Sequence, residues 1–163
     1  MEFTVEQRIS ASPDLVQHAL VSPDFITACA ELPRLGGCDL LDLEHSGEKV
    51  RMRVHRRFTG ELNRAVTAVI DPEKLTWIEE IVYDLTHRKG THRIVPDNYA
   101  DRLSCSYTTA ITADGDGSRR LATGTVGVRA PLGHGRVEQA IVSGLEEYAQ
   151  AEAELLGRWP TRG

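Results

Sequence analysis

Six polar side chains occupy positions that periodicity assigns to a protein interior: Arg56, Glu79, Tyr83, His92, Tyr107 and Tyr148. In KVRMRVHRRF, residues 49–58, Arg51, Arg53, His55 and Arg57 alternate with Val50, Met52, Val54 and Phe58. Arg56 falls in phase with the apolar set. Within 75–85, Glu79 shares a face with Leu75, Trp77, Ile81, Tyr83 and Leu85. His92 alternates with Ile94, and Tyr107 and Thr109 are in phase with Leu103, Cys105, Ile111 and Ala113. An unpaired buried charge costs several kcal/mol, so Arg56 and an acid such as Glu79 should meet each other, a ligand or water. One reading is a small-molecule pocket. Its apolar body would include Met52, Trp77, Ile141 and Gly144, and the six polar residues would be its anchors. The other reading is an internal Arg56–Glu79 ion pair, or a bulge that sends one of them outward. Ile78, Glu80 and Val82 leave the facing of that strand open between Glu79 and Glu80. A Glu, His or Tyr in such a pocket could transfer a proton if burial tuned its pKa. Nothing in the sequence shows that tuning, and binding is favoured over catalysis.

Other chemistries find little support. The row Arg51, Arg53, His55, Arg57 lacks the aromatic partners of a sheet-based RNA reader, and the chain as a whole carries a net charge of -5. It reads as the solvated face of a strand, which also discourages edge pairing, and no nucleic-acid partner is expected. The six histidines are scattered without HExxH or paired Cys/His spacing, so no metal site is expected. Asp114-Gly115-Asp116-Gly117 lacks the sixth-position glycine and twelfth-position glutamate of a calcium loop and reads as a hairpin turn. Gly133-His134-Gly135 does not continue into a phosphate fingerprint, and no GxSxG serine elbow occurs. No cofactor is implied. The three cysteines, Cys29, Cys38 and Cys105, are odd in number and read as reduced, buried small residues. With an acidic N-terminus and no apolar run of about 20 residues, a cytoplasmic protein without stable membrane insertion is expected.

The elements that must hold these residues follow from the hydrophobic period. Residues 2–9 alternate as a half-buried strand. Ser12-Pro13-Asp14 and Ser22-Pro23-Asp24 each place a capping hydroxyl before a helical proline, predicting two short helices. Neither helix carries a basic recognition face. From 38 to 131 the strand candidates are 38–45, 49–58, 63–70, 75–85, 90–95, 101–113 and 119–131. Their short turns require antiparallel neighbours. Residues 136–159 read as one helix ended by Pro160, with Val137, Ile141, Gly144, Tyr148, Ala151, Leu155 and Trp159 on a single stripe. Gly144 on that stripe, like Gly124 and Gly127 in the last strand, implies close approach of the sheet backbone or of a bound molecule. The plainer cause is tight helix–sheet packing or a bend. The whole is one domain, 1–160, with a short tail at 161–163. It is α+β: a curved antiparallel sheet of about seven strands wrapped around a long C-terminal helix, with two short helices after the first strand.

That order resembles the helix-grip fold of the START and Bet v 1-like (SRPBCC) superfamily, which includes polyketide cyclases and lipid-transfer domains. It is most similar to an uncharacterised actinobacterial branch. The segments that carry the resemblance are SASPDLVQHALVSPDFITACAELP, RFTGELNRAV, DPEKLTWIEEIVYD, RLSCSYTT and APLGHGRVEQAIVSGLEEYAQAEAELLGRW. The resemblance implies a cavity between sheet and helix that takes a lipid, isoprenoid or aromatic polyketide. It also leaves two alternatives: a cofactor-independent cyclase or dehydratase in the same cavity, and an interaction module whose cavity is filled by side chains.

Overall fold

The computed structural model describes residues 1–62, 64–68, 70–130 and 133–159. Strand β1 (Glu2–Ile9) is followed by helices α1 (Pro13–Leu20) and α2 (Pro23–Ala28), the latter extended by a 3-10 turn, Cys29–Glu31. Strands β2 (Leu35–Ser46) and β3 (Lys49–Phe58) form a hairpin, and a short helix α3 (Arg64–Thr67) leads to β4 (Thr76–Asp84). Strands β5 (Lys89–Pro96), β6 (Leu103–Asp114) and β7 (Gly117–Val128) complete the sheet before the long helix α4 (His134–Arg158). All pairings are antiparallel in the order β1-β7-β6-β5-β4-β3-β2, so β1 and β2 are the edges. The fold class expected from the sequence is the one observed.

Local chemistry accounts for most boundaries. Ser12 caps α1 by accepting from Leu15 N at 3.4 Å, with Pro13 at the first turn. Ser22 has the extended backbone of a cap, but its hydroxyl makes no capping hydrogen bond. Gly115, in the left-handed region at φ 58°, turns β6 into β7, so the acidic loop is the hairpin that its sequence suggests. Residues 90–95 form a full strand paired on both sides.

The expected strand at 63–70 is the main correction. Its described residues hold α3, and β3 pairs directly with β4 without it. Leu62, Val66 and Ile70 recur every four residues, a helical spacing, and they pack with Val128 and Val137. The helix α4 begins at His134 behind Gly133, two residues earlier than expected, and β7 ends at Val128. Pro131, Pro160 and the tail 161–163 lie outside the described residues.

Among the described residues, apolar packing divides into three groups along α4 instead of one core. At its C-terminal end, Ala153 and Leu156 pack with Phe25 and Ile26 of α2 and with Val50, Val54 and Ile81 of the sheet. In the middle, Val142 meets Phe3, Val5 and Val126. At the N-terminal end, Val137 meets Val66, Ile70 and Val128. A domain this size ordinarily has one contiguous core. The division arises because a cavity lies between helix and sheet.

Candidate functional site

The cavity measures about 930 Å³, well above the roughly 300 Å³ at which small-molecule sites begin. Its walls come from the concave faces of the strands, from α2 and α3, and from one side of α4. All ten residues singled out from the sequence line it: Met52, Arg56, Trp77, Glu79, Tyr83 and His92, then Tyr107, Ile141, Gly144 and Tyr148. A Cβ built on Gly144 would meet nothing within 4 Å. Tight helix–sheet packing is therefore not what this glycine serves; it faces open cavity. Gly124 differs, since a Cβ there would collide with Ser106 O and with Tyr107, its cross-strand partner. A Cβ on Gly90 would likewise come within 2.9 Å of the ring of its partner Tyr83. These two glycines give room to two of the cavity tyrosines.

Strand geometry joins the anchors. Val54 pairs with Glu79, so Arg56 lies one diagonal step away on the same face. Ile94 pairs with Glu79, which puts His92 one diagonal step along β5, and His92 pairs directly with Tyr107. The result is a polar row across β3, β4, β5 and β6. Arg56 Nε donates to Glu79 Oε2 at 2.6 Å, and an Arg56 terminal nitrogen donates to Cys38 Sγ at 3.1 Å. Glu79 Oε1 accepts from Tyr107 Oη at 2.5 Å and from His92 Nδ1 at 3.1 Å. The His92 ring stacks on Tyr107 with centroids 4.3 Å apart, and Tyr83 meets its edge. Glu79 is thus the inward residue, while Glu80 faces out and pairs with Arg93 at 2.6 Å.

Burial alone would raise the Glu79 pKa, but the Arg56 charge and the hydrogen bonds from His92 and Tyr107 outweigh it. They hold the carboxyl far below its ordinary range. Burial pulls His92 below the usual imidazole value, the neighbouring carboxylate notwithstanding. The ring is then neutral near pH 7 with its proton on Nδ1, the nitrogen facing the acceptor-only carboxylate. Burial, and then Glu79, push the Tyr107 hydroxyl well above its ordinary value.

A second polar group, which sequence reasoning missed, joins Gln7 of β1, Arg120 of β7 and Glu152 of α4. An Arg120 terminal nitrogen donates to Glu152 Oε1 at 2.9 Å and to Gln7 Oε1 at 3.2 Å. Gln7 Nε2 donates to Glu152 Oε1 at 3.0 Å and to Ala149 O at 2.8 Å. Tyr148 Oη donates to Glu152 Oε2 at 2.8 Å, and the other Arg120 terminal nitrogen reaches Tyr83 Oη at 3.5 Å. Two of the anticipated anchors, Tyr83 and Tyr148, therefore belong mainly to this group, although the Arg56 guanidinium also lies 6.0 Å from the Tyr148 ring. The signal was present: Gln7 is in phase with Phe3, Val5 and Ile9, Arg120 with Ala122 and Val126, and Glu152 is one turn beyond Tyr148. On α4 the expected stripe is only half-buried where it faces the cavity, whereas Glu138, which is not part of that stripe, is buried and accepts from His134 Nδ1 at 3.1 Å.

At the rim, Arg34, in the left-handed region at φ 73°, bridges Glu147 of α4 at 2.9 Å and Glu61 O at 3.1 Å. On the outer row of β3, Arg53 pairs with Asp42 at 2.7 Å, and His55 with Asp97 at 2.6 Å. The three cysteines are free; Cys29 and Cys38 are buried, and Cys105 is only half-buried. Among the described residues no cluster of three or more His, Cys, Asp or Glu is placed to hold a metal ion, and no helix is long and apolar enough to cross a membrane.

Similar solved structures cover almost the whole chain. A Thermus thermophilus protein, TTHA0849, superposes with a TM-score of 0.67 at 17% identity, over 96% of this chain and 97% of that one. Norcoclaurine synthase from Thalictrum flavum gives 0.66 at 16% identity, over 97% and 87%. The ZhuI aromatase/cyclase from Streptomyces sp. R1128 gives 0.61 at 20% identity, over 96% and 90%. At these identities the likeness establishes the fold, which is the Bet v 1-like helix grip. Among curated proteins there is no sequence match. A family model described as "Protein of unknown function (DUF2505)" matches residues 4–159, and the chain belongs to that family.

Proposed function

We propose that the protein binds a hydrophobic small molecule, such as a lipid, an isoprenoid or an aromatic polyketide, between sheet and α4, as a carrier or sensor. The observation that carries this reading is the cavity of about 930 Å³, apolar for the most part and crossed by a fixed polar row. A space of this size argues against the alternative of a cavity filled by side chains. Gly144 supports the same reading, because α4 leaves open the face that a side chain could have filled. Free cysteines and the acidic net charge of -5 fit a cytoplasmic location without nucleic acid as a partner.

Catalysis of the cyclase or dehydratase type is the second reading, favoured by the likeness to an aromatase/cyclase and to norcoclaurine synthase. Its weakness is Glu79. A carboxylate stabilised by a guanidinium and two further donors is a poor proton acceptor. Native mass spectrometry of freshly purified protein tests the first reading. A co-purifying mass lost on denaturation supports it and reports the ligand class; protein that carries no such mass and takes up no apolar probe refutes it. Turnover of a candidate polyketide, abolished by Tyr107→Phe or Glu79→Gln, would establish the second reading instead.

A further inference from the structure

Most polar atoms around the cavity are matched to one another. Both oxygens of Glu79 and of Glu152 accept at least one hydrogen bond, the Tyr107 and Tyr148 hydroxyls donate to them, and His92 Nδ1 faces Glu79. Two donors are left over on one cross-strand pair. Arg56 lies directly opposite Trp77 in the β3–β4 ladder, so both point to the concave side, and both line the cavity. Arg56 Nε and one terminal nitrogen are engaged by Glu79 Oε2 and Cys38 Sγ. Its second terminal nitrogen has no acceptor among the described residues, and neither has the indole N–H of half-buried Trp77. Both nitrogens are open to water. Among the described residues the unpartnered side-chain nitrogen that is closed to it is Arg120 Nε, sealed inside the second polar group. Open donors are satisfied while the space is wet. An apolar molecule that displaces the water without bringing an acceptor leaves both unmet, and that penalty is what one suitably placed oxygen removes.

We propose that the Arg56–Trp77 pair selects ligands with a carbonyl-type oxygen on an otherwise apolar body, the oxygen accepting from the open Arg56 terminal nitrogen and from Trp77 Nε1–H. This rests on the cavity being a ligand site. The selection is for the acceptor and not for its charge. Among the described residues, four arginines and four glutamates line the cavity, and the formal charge cancels. A ketone and a carboxylate present the same kind of oxygen to the pair, whereas a hydrocarbon presents none. A site built to hydrogen-bond its ligand rejects the analogue that lacks the group more strongly than an apolar wall rejects a misfit of one methylene.

Titration calorimetry with three aromatic compounds of nearly equal shape tests this: ethylnaphthalene, acetylnaphthalene and naphthoate. The expected result is acetylnaphthalene binding about 10-fold more tightly than ethylnaphthalene, the increment of one to two net hydrogen bonds. The rank of naphthoate against acetylnaphthalene then tells a carboxylate ligand from a neutral carbonyl one. In Trp77→Phe the acetyl-to-ethyl ratio should fall toward one. Trp77 makes no hydrogen bond among the described residues, so that variant is expected to fold. Arg56→Lys keeps a charge beside Glu79 but lacks the second terminal nitrogen, and should lower the ratio in the same sense. Acetylnaphthalene binding no more tightly than ethylnaphthalene would overturn the selection, whatever naphthoate does, while leaving the cavity a ligand site. A ratio that survives both substitutions would overturn the assignment to this pair. Binding of none of the three would remove the ligand-site reading and this inference together.

Discussion

Gly144 offers the most direct measurement of whether α4 faces open space. In a helix interior, glycine costs about 0.5–1 kcal/mol relative to alanine, through the freedom it loses on folding. Replacing it ordinarily recovers that amount only if the new methyl group has somewhere to go. At Gly144 a Cβ would have no neighbour within 4 Å, so no steric term offsets the gain. Gly144→Ala should therefore stabilise the fold by about 0.5–1 kcal/mol, which for a domain of this size is a rise in Tm of about 1–4 °C. Gly124→Ala is the internal control with the opposite sign. Its Cβ would meet the Tyr107 Cα at 2.6 Å, and overpacking of this kind costs about 1–3 kcal/mol. Gly144→Leu extends the test to the cavity, because its side chain would occupy the space that the ligand needs. Circular-dichroism melts and anilinonaphthalene sulfonate fluorescence report the two effects separately. Gly144→Leu should retain a wild-type Tm or better while losing probe fluorescence. A fall in Tm for Gly144→Ala would show that a neighbour closes on this face, and would refute the open-cavity geometry.

Breaking the buried pair should be costly where replacing it is not. Glu79→Gln leaves the Arg56 guanidinium without its counter-charge, and the loss should be about 3 kcal/mol, the low end for such pairs, since the Arg56 side chain keeps 11% exposure. The Tm should drop by about 6–12 °C, and an Arg56→Met/Glu79→Leu double variant should lose less; equal losses would count against the pairing. Acidification should destabilise the protein in two stages. Below about pH 6.5 the unfolded state binds a proton at His92 that the folded state, with its depressed pKa, does not, so stability falls as pH falls. The Glu79 contribution is fully present above its unfolded value near 4.5 and is lost as pH drops through the lower folded pKa. Urea unfolding across pH 4–7 should show the first stage in wild type and a flatter profile in His92→Gln, and an unchanged profile in that variant would assign the proton elsewhere.

The inward positions were legible because a strand encodes its facing in a period of two, and a single register decides every residue on it. Arg56, His92 and Tyr107 could each be placed on the concave face by their apolar companions alone, whereas Glu79 could not, because Ile78 and Val82 made Glu80 an equal candidate. That the four would touch one another depended on strand order, which alternation does not carry. Arg120 was hidden for a different reason. It follows Arg119 close to a hairpin turn, where a basic pair ordinarily reads as solvated, and only the C-terminal half of α4 passing over β7 buries it. The helix α3 was misread because Leu62, Val66 and Ile70 lie in a stretch rich in β-branched residues, where a short helical spacing is easily taken for a strand. On α4, a stripe picked from side-chain hydrophobicity cannot distinguish a face that packs from one that lines a cavity.

The position of β1 at the sheet edge has a consequence for how the chain folds. Strands β2 to β7 each neighbour a strand adjacent in sequence and can pair as successive hairpins, but among the described residues β1 pairs with β7 alone. Gln7 lies opposite Arg120, 113 residues away, so closing this pair costs loop entropy that no local contact recovers first. The first of these strands to leave the ribosome is thus the last to find its place, and the meander can form while the Gln7–Arg120–Glu152 corner is still open. Pulse-labelled hydrogen exchange should find β1 amides protected after those of β4 and β5; the reverse order would mean that the edge strand nucleates folding. If it docks last, the cavity is enclosed only in the final step, and a ligand present during synthesis could enter a sheet that is already curved but not yet shut.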